Sequence, residues 1–77
     1  MSSLHHSEET HANLVERLPQ ATGKAMADWF QVVHDGPALT RFEERVHWLQ
    51  DEHELPHSYA TAVVHEYDKV RAARRVQ

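Results

Sequence analysis

The chain predicts an all-α fold, a compact bundle of about four short helices whose last two are joined as a helix-turn-helix-like hairpin. Three observations carry that expectation. Apolar residues recur at three- and four-residue spacing in four stretches, no segment sustains the two-residue alternation of a half-buried strand, and Gly36-Pro37 and Pro56 punctuate the periodic runs. At 77 residues the chain is one domain by default. It is assigned to residues 13–77, behind a polar, histidine-bearing N-terminus over residues 1–12 that is expected to fray.

Leu14, Leu18 and Ala21 form the first stripe, with Glu8 and Glu9 where a helix N-terminus favours negative charge. Pro19 disfavours helical geometry at Leu18, so this helix is expected to end or kink there and restart as a turn before Thr22-Gly23. Met26, Trp29, Phe30 and Val33 then mark one apolar face of a second helix. Asp35-Gly36-Pro37 should stop it, with glycine supplying a left-handed residue. Thr40-Arg41-Phe42-Glu43 reads as a capping box opening a third helix, whose inner stripe would be Phe42, Val46 and Leu49 with Trp48 on the flank. After the "HELPHS" break, Ser58 is placed to cap a fourth helix with Tyr59, Val63, Tyr67 and Val70 inside, running to about Arg74. The expected core is Leu18, Met26, Trp29, Phe30, Phe42, Val46, Leu49, Val63 and Tyr67.

Charge is unevenly spread. The whole chain carries −4 with histidine neutral. Residues 1–68 hold four basic and twelve acidic residues, a charge of −8, while residues 69–77 hold Lys69, Arg71, Arg74 and Arg75 and no acid, a charge of +4. A basic tip on an acidic body suits the C-terminal end of a last helix, where cations complement the helix dipole, and it also offers a contact for phosphate or an acidic partner. The chain has no cysteine, which excludes disulfides and thiolate metal sites. The opening "MSSLHHSEETHANL" lacks a secretory apolar run, and no later stretch approaches the roughly 18 apolar residues of a membrane span, so a cytoplasmic protein is expected.

Eight histidines invite a test for metal binding. Glu44-Arg45-Val46-His47 has the spacing of a di-iron carboxylate motif, but the second copy, Glu54-Leu55-Pro56-His57, crosses a proline and cannot present a helical pair. His53 and His57 are four apart, yet Pro56 interrupts the helix that would align them as a zinc pair, and a turn of solvated polar residues is the expected reading. His65 is expected beside the apolar face of the fourth helix as a partly buried packing residue. The two glycines are too far apart for a phosphate loop, and adjacent His57 and Ser58 lack an orienting third group, so no catalytic residue, metal or cofactor is assigned. Trp29, Phe30 and Trp48 are assigned to the core in preference to a ligand pocket. A DNA-reading helix-turn-helix would present His57, Ser58, Thr61 and Ala62 beside Asp51, Glu52 and Glu54, a surface that repels phosphate.

The stretches "ATGKAMADWFQVV" and "ERVHWLQDEHELPHSYATAVVHEYDKVRAARR" resemble a family of small bacterial helical domains known only as a domain of unknown function. The matching elements are Thr22-Gly23-Lys24, Trp29-Phe30, Val46 to His53, and Val63 through Asp68 to the final arginines, over roughly residues 18–75. The resemblance implies a domain that occurs alone or appended to larger proteins, among them START-like ligand-binding proteins such as relatives of the Hsp90 ATPase activator. It implies four helices and no known activity. Members often carry glycine where this chain has Glu54, and a tryptophan pair near Ser58-Tyr59.

The expectation is therefore a non-enzymatic module for protein interaction or self-association, with a homodimer among its forms. Its contacts would come from Trp48, His53, His57 and Tyr59 around the turn and from Lys69, Arg71, Arg74 and Arg75 at the basic tip. Nucleic-acid binding through that tip is the runner-up, and a histidine metal site stands third.

Overall fold

A computed structural model describes the backbone of residues 8–75 and the side chains of residues 10–74. Four helices follow one another: α1 (Glu8–Thr22), α2 (Met26–Asp35), α3 (Phe42–His53) and α4 (His57–Arg75). No strand occurs among the described residues. The last helix is the hub. It packs against all three others, most extensively against α3, and α1 also meets α2.

The first helix starts before the domain boundary expected at residue 13, so residues 8–12 are helical, while residues 1–7 lie outside the described residues. It also runs through Pro19 instead of ending there. The proline removes the backbone donor that would bond the Val15 carbonyl, a cost that the helix bears one turn before its end. Leu18 beside it is fully buried, and the Thr22 hydroxyl donates to the Leu18 carbonyl at 2.8 Å. Gly23 then takes φ 82 and its N–H donates to the Pro19 carbonyl at 2.9 Å, closing the helix with a left-handed residue.

That left-handed role was expected at Gly36, and the structure moves it. Gly36 is extended, with φ −78 and ψ −171, a conformation open to any residue. What requires glycine here is proximity. A Cβ at Gly36 would lie 2.6 and 2.9 Å from carbons of the Trp48 indole, so the ring of α3 is laid on the bare backbone after α2.

Cap chemistry also departs from expectation. The third helix begins at Phe42 behind Arg41, which makes no side-chain cap bond, so Thr40 does not form the predicted box. Ser58 lies inside the first turn of α4, while the Pro56 carbonyl accepts the Ala60 N–H at 2.8 Å and Pro56 holds the entry. A cap is worth about 0.5–2 kcal/mol. Burying Val46, Leu49, Val63 and Val64, at about 1.5–3 kcal/mol per large aliphatic chain, outweighs it and sets where the helices start. At α2 an acidic residue does serve the entry: Asp28 accepts the Ala25 N–H at 3.3 Å.

The core consists of Leu18, Trp29, Val33, Val46, Leu49, Leu55, Ala60, Val63 and Val64. Five of the nine residues expected there are in it, and Met26 and Tyr67 pack on it half-buried. Phe30 is half-buried against Tyr67, their ring centroids 5.8 Å apart. Phe42 is the correction, at 38% exposed: the first residue of α3 stays outside the packed cluster that Val46 and Leu49 join, so helical spacing placed it on the right face without burying it. Leu55 enters in its place. Glu54 adopts φ 54 and ψ 31, the left-handed turn that ends α3, and so folds Leu55 back under the hairpin, its N–H on the Leu49 carbonyl at 3.2 Å. A left-handed residue with a Cβ is strained, and glycine would adopt this turn without that cost.

A candidate interaction groove between α2 and α4

The expected contact residues separate into two groups at opposite ends of α4. Fifteen residues of helix, about 22 Å, lie between Tyr59 and Arg74. At the turn end, Trp48 is half-buried against Gly36, and Tyr59 is half-buried against the core. His53 is exposed, its ring edge-on to Trp48 and Trp29 with centroids 5.0 and 5.8 Å away. His57 is exposed and its Nδ1 lies 3.3 Å from the Gln50 side-chain oxygen. Thus Trp48 and Tyr59 serve packing, and the two histidines stand on different helices. Among the described residues no three histidine, aspartate or glutamate side chains converge as a metal cluster. Of the residues a DNA-reading helix would present, His57 and Ser58 are exposed, Thr61 is half-buried and Ala62 fully buried at the start of α4.

Near the Trp29 side of that end, the Thr22-Gly23-Lys24 segment is consumed by local bonds. The Trp29 indole N–H donates to the Thr22 hydroxyl oxygen at 3.0 Å, and the Lys24 ammonium stands 5.6 Å over the Trp29 ring. This is a staple between α1 and α2.

The tip end is different. A groove of about 540 Å³ runs between α2 and α4, lined by Ala27, Phe30, Gln31, His34, Tyr67, Val70, Arg71 and Arg74. Phe30 and Tyr67 make its aromatic floor. The Arg71 guanidinium lies 5.7 Å from the Tyr67 ring centroid, within cation–π range. A second depression of about 420 Å³ continues past Gly36 to Leu39, sharing His34, Tyr67 and Arg71 with the first.

The carboxylates of α4 are already engaged. Asp68 pairs with Arg45 at 3.0 Å, a bond that ties α4 to α3. Glu66 accepts from His11 of α1 and also faces Lys69 at 3.5 Å. The His11 hydrogen bond is the largest influence on Glu66 and lowers its pKa below the ordinary value, burial opposes it, and Lys69 adds to the lowering. Lys69 is therefore partnered, whereas Arg71 and Arg74 pair with no carboxylate among the described residues. The Arg75 side chain lies outside the described residues. His65, expected as the partly buried histidine, is exposed with its ring edge-on to His11 at 4.9 Å, and His11 takes the half-buried place.

Sequence reasoning did not single out Gln31 and His34 as contact residues. Their signal was present: Ala27, Phe30, Gln31 and His34 repeat at helical spacing on the second face of α2, away from buried Trp29 and Val33.

Fold and groove define a small all-helical domain with a charged, aromatic surface at one end. A family model described as a domain of unknown function (DUF4287) matches residues 10–69, and the chain belongs to that family. The match takes in the core and the aromatic floor of the groove and stops at Lys69, short of Arg71 and Arg74. No curated protein matches the chain. No solved structure does either. Among the described residues, no helix is long and apolar enough to cross a membrane.

Proposed function

We propose that this domain is a non-catalytic protein-interaction or self-association module of the bacterial cytoplasm, and that its contact surface is the groove between α2 and α4. The single observation that carries the reading is the pair Arg71 and Arg74, without carboxylate partners, beside the exposed edges of Phe30 and Tyr67. Arginine and aromatic side chains around a concave surface are the residue types enriched where proteins anchor one another. The partner chemistry that fits is an acidic segment carrying an apolar anchor: carboxylates for the arginines, the anchor for the floor. The resemblance to domains appended to START-like proteins supports the same reading, since an appended module with such a groove serves to hold a partner.

Nucleic acid is the second reading, and it rests on the basic end of the chain, Lys69, Arg71, Arg74 and Arg75. A few cations give a small phosphate footprint, on a chain whose residues 1–68 carry a net charge of −8. A nuclear magnetic resonance titration separates the two. A synthetic acidic peptide with one phenylalanine should shift the resonances of Phe30, His34, Tyr67 and Arg71, and the double variant Arg71→Glu/Arg74→Glu should abolish those shifts. Duplex DNA at the same salt should shift none of them. A salt-sensitive DNA complex with no response to the peptide would reverse the order of the two readings.

A further inference from the structure

We infer that the partner which fits this groove is a second copy of the same chain, presenting Phe42 followed by Glu43 and Glu44. The inference rests on the interaction reading above and names the partner. Phe42 is the one exposed large hydrophobic side chain among the described residues, at 38%. Glu43 and Glu44 follow it, both exposed and without an ion pair among the described residues. An apolar anchor with two unpaired carboxylates is the chemistry that a groove with an aromatic floor and two unpaired arginines lacks.

The positions of knob and socket argue for a closed pair over an open chain. The Arg45–Asp68 bond sets the first turns of α3 beside the last turns of α4. Phe42 stands one turn before Arg45, and Arg71 one turn beyond Asp68, so both features lie at the same end of the molecule. Thr40, Arg45, Asp68 and Arg71 line a depression of about 420 Å³ between the start of α3 and the end of α4. Complementary features at the same end of a molecule can meet those of a second copy under a two-fold rotation. Each copy can then place its Phe42 over the partner copy's Phe30 and Tyr67, and its glutamates against the partner copy's arginines, with both contacts made at once. Two carboxylates of each copy then meet two arginines of the other, and the exposed Arg41 before Phe42 is the like charge that this contact must leave in solvent.

The full chain is tested by sedimentation equilibrium from about 10 µM to about 1 mM, the range of a small interface. A reversible dimer is expected. Phe42→Ala should weaken it about thirtyfold, the loss of one anchor, while its thermal melting below the association range stays that of the parent, which separates lost contact from lost folding. The double variant Arg71→Glu/Arg74→Glu alone and the double variant Glu43→Arg/Glu44→Arg alone should each be monomeric. An equimolar mixture of those two variants should dimerise, because one lobe of the mixed pair keeps the original charges and the other reverses both. A parent chain monomeric throughout, a dimer indifferent to Phe42→Ala, or a mixture that stays monomeric overturns the inference. If the monomeric parent still binds the acidic peptide through Tyr67 and Arg71, the interaction reading stands and only the second copy is removed. If both the dimer and the peptide complex are absent, both are removed.

Discussion

Residues 60–64 and residues 67–74 belong to one helix and meet opposite surroundings. In the first stretch Ala60, Ala62, Val63 and Val64 are all fully buried, enclosed by neighbouring helices. In the second no residue is buried, aromatic and aliphatic stems are half-covered, and arginine heads face an open groove. Small β-branched and alanine side chains let helices approach closely at the turn end, whereas long amphipathic ones hold them apart at the tip. The contrast assigns stability to the turn end, where dense packing is costly to alter, and recognition to the tip, where side chains can change partners without unfolding the domain.

The largest effects should come from the packed end. Leu49→Ala and Trp29→Ala are each expected to cost about 2–5 kcal/mol, enough to unfold a domain of this size, read as loss of a cooperative urea transition. A well-folded variant of either kind would erase the contrast. Gly36→Ala should cost about 1–3 kcal/mol, wholly from displacing the Trp48 ring, since the backbone there suits alanine. The tryptophan fluorescence of the folded variant should shift with the displaced ring, and an unchanged spectrum would remove the close-approach account.

Glu54→Gly should stabilise by about 0.5–1 kcal/mol, because glycine accepts φ 54 without the Cβ clash and repays part of that relief in backbone entropy. A lower urea midpoint in this variant would show that the glutamate makes a compensating contact. Acidification probes the link between α1 and the middle of α4. The Glu66 pKa is lowered in the fold, so its contribution is full above its ordinary value of 4.5 and is lost as pH falls through the lowered one. Melting points between pH 6 and pH 3 should therefore fall less steeply in Glu66→Gln than in the parent, and parallel curves would dissociate Glu66 from acid stability. The smallest effects belong to the tip: Phe42→Ala and Arg71→Ala should each change monomer stability by no more than about 0.5 kcal/mol, and a larger loss would place the groove within the folding core.

Helical spacing made the four elements legible, because an amphipathic face is a property of neighbouring residues alone. Leu18, Trp29, Val46, Leu49 and Val63 were readable as core for the same reason. Leu55 was not, since it stands between a charged residue and a proline in a run that reads as solvated turn; only the left-handed Glu54 turns it inward. Phe42 misled in the opposite way. Its spacing to Val46 marks a face, and spacing carries no information on whether a neighbouring helix extends far enough to cover the end of that face. The basic tip was plain in the chain, but its aromatic neighbours on α2 lie some forty residues away and meet it only through packing.

Sequence alone determined the all-helical class, the breaks at Gly36-Pro37 and Pro56 and the charge asymmetry, all of which follow from short-range sterics, periodicity and composition. Tertiary structure decided which cap positions were used, which glycine was left-handed and which was pressed against a ring, and which cations kept no partner. Those outcomes depend on distances between residues remote in the chain: burial of an aliphatic side chain outweighs a cap, and a carboxylate can neutralise only the cation that packing brings within about 4 Å of it.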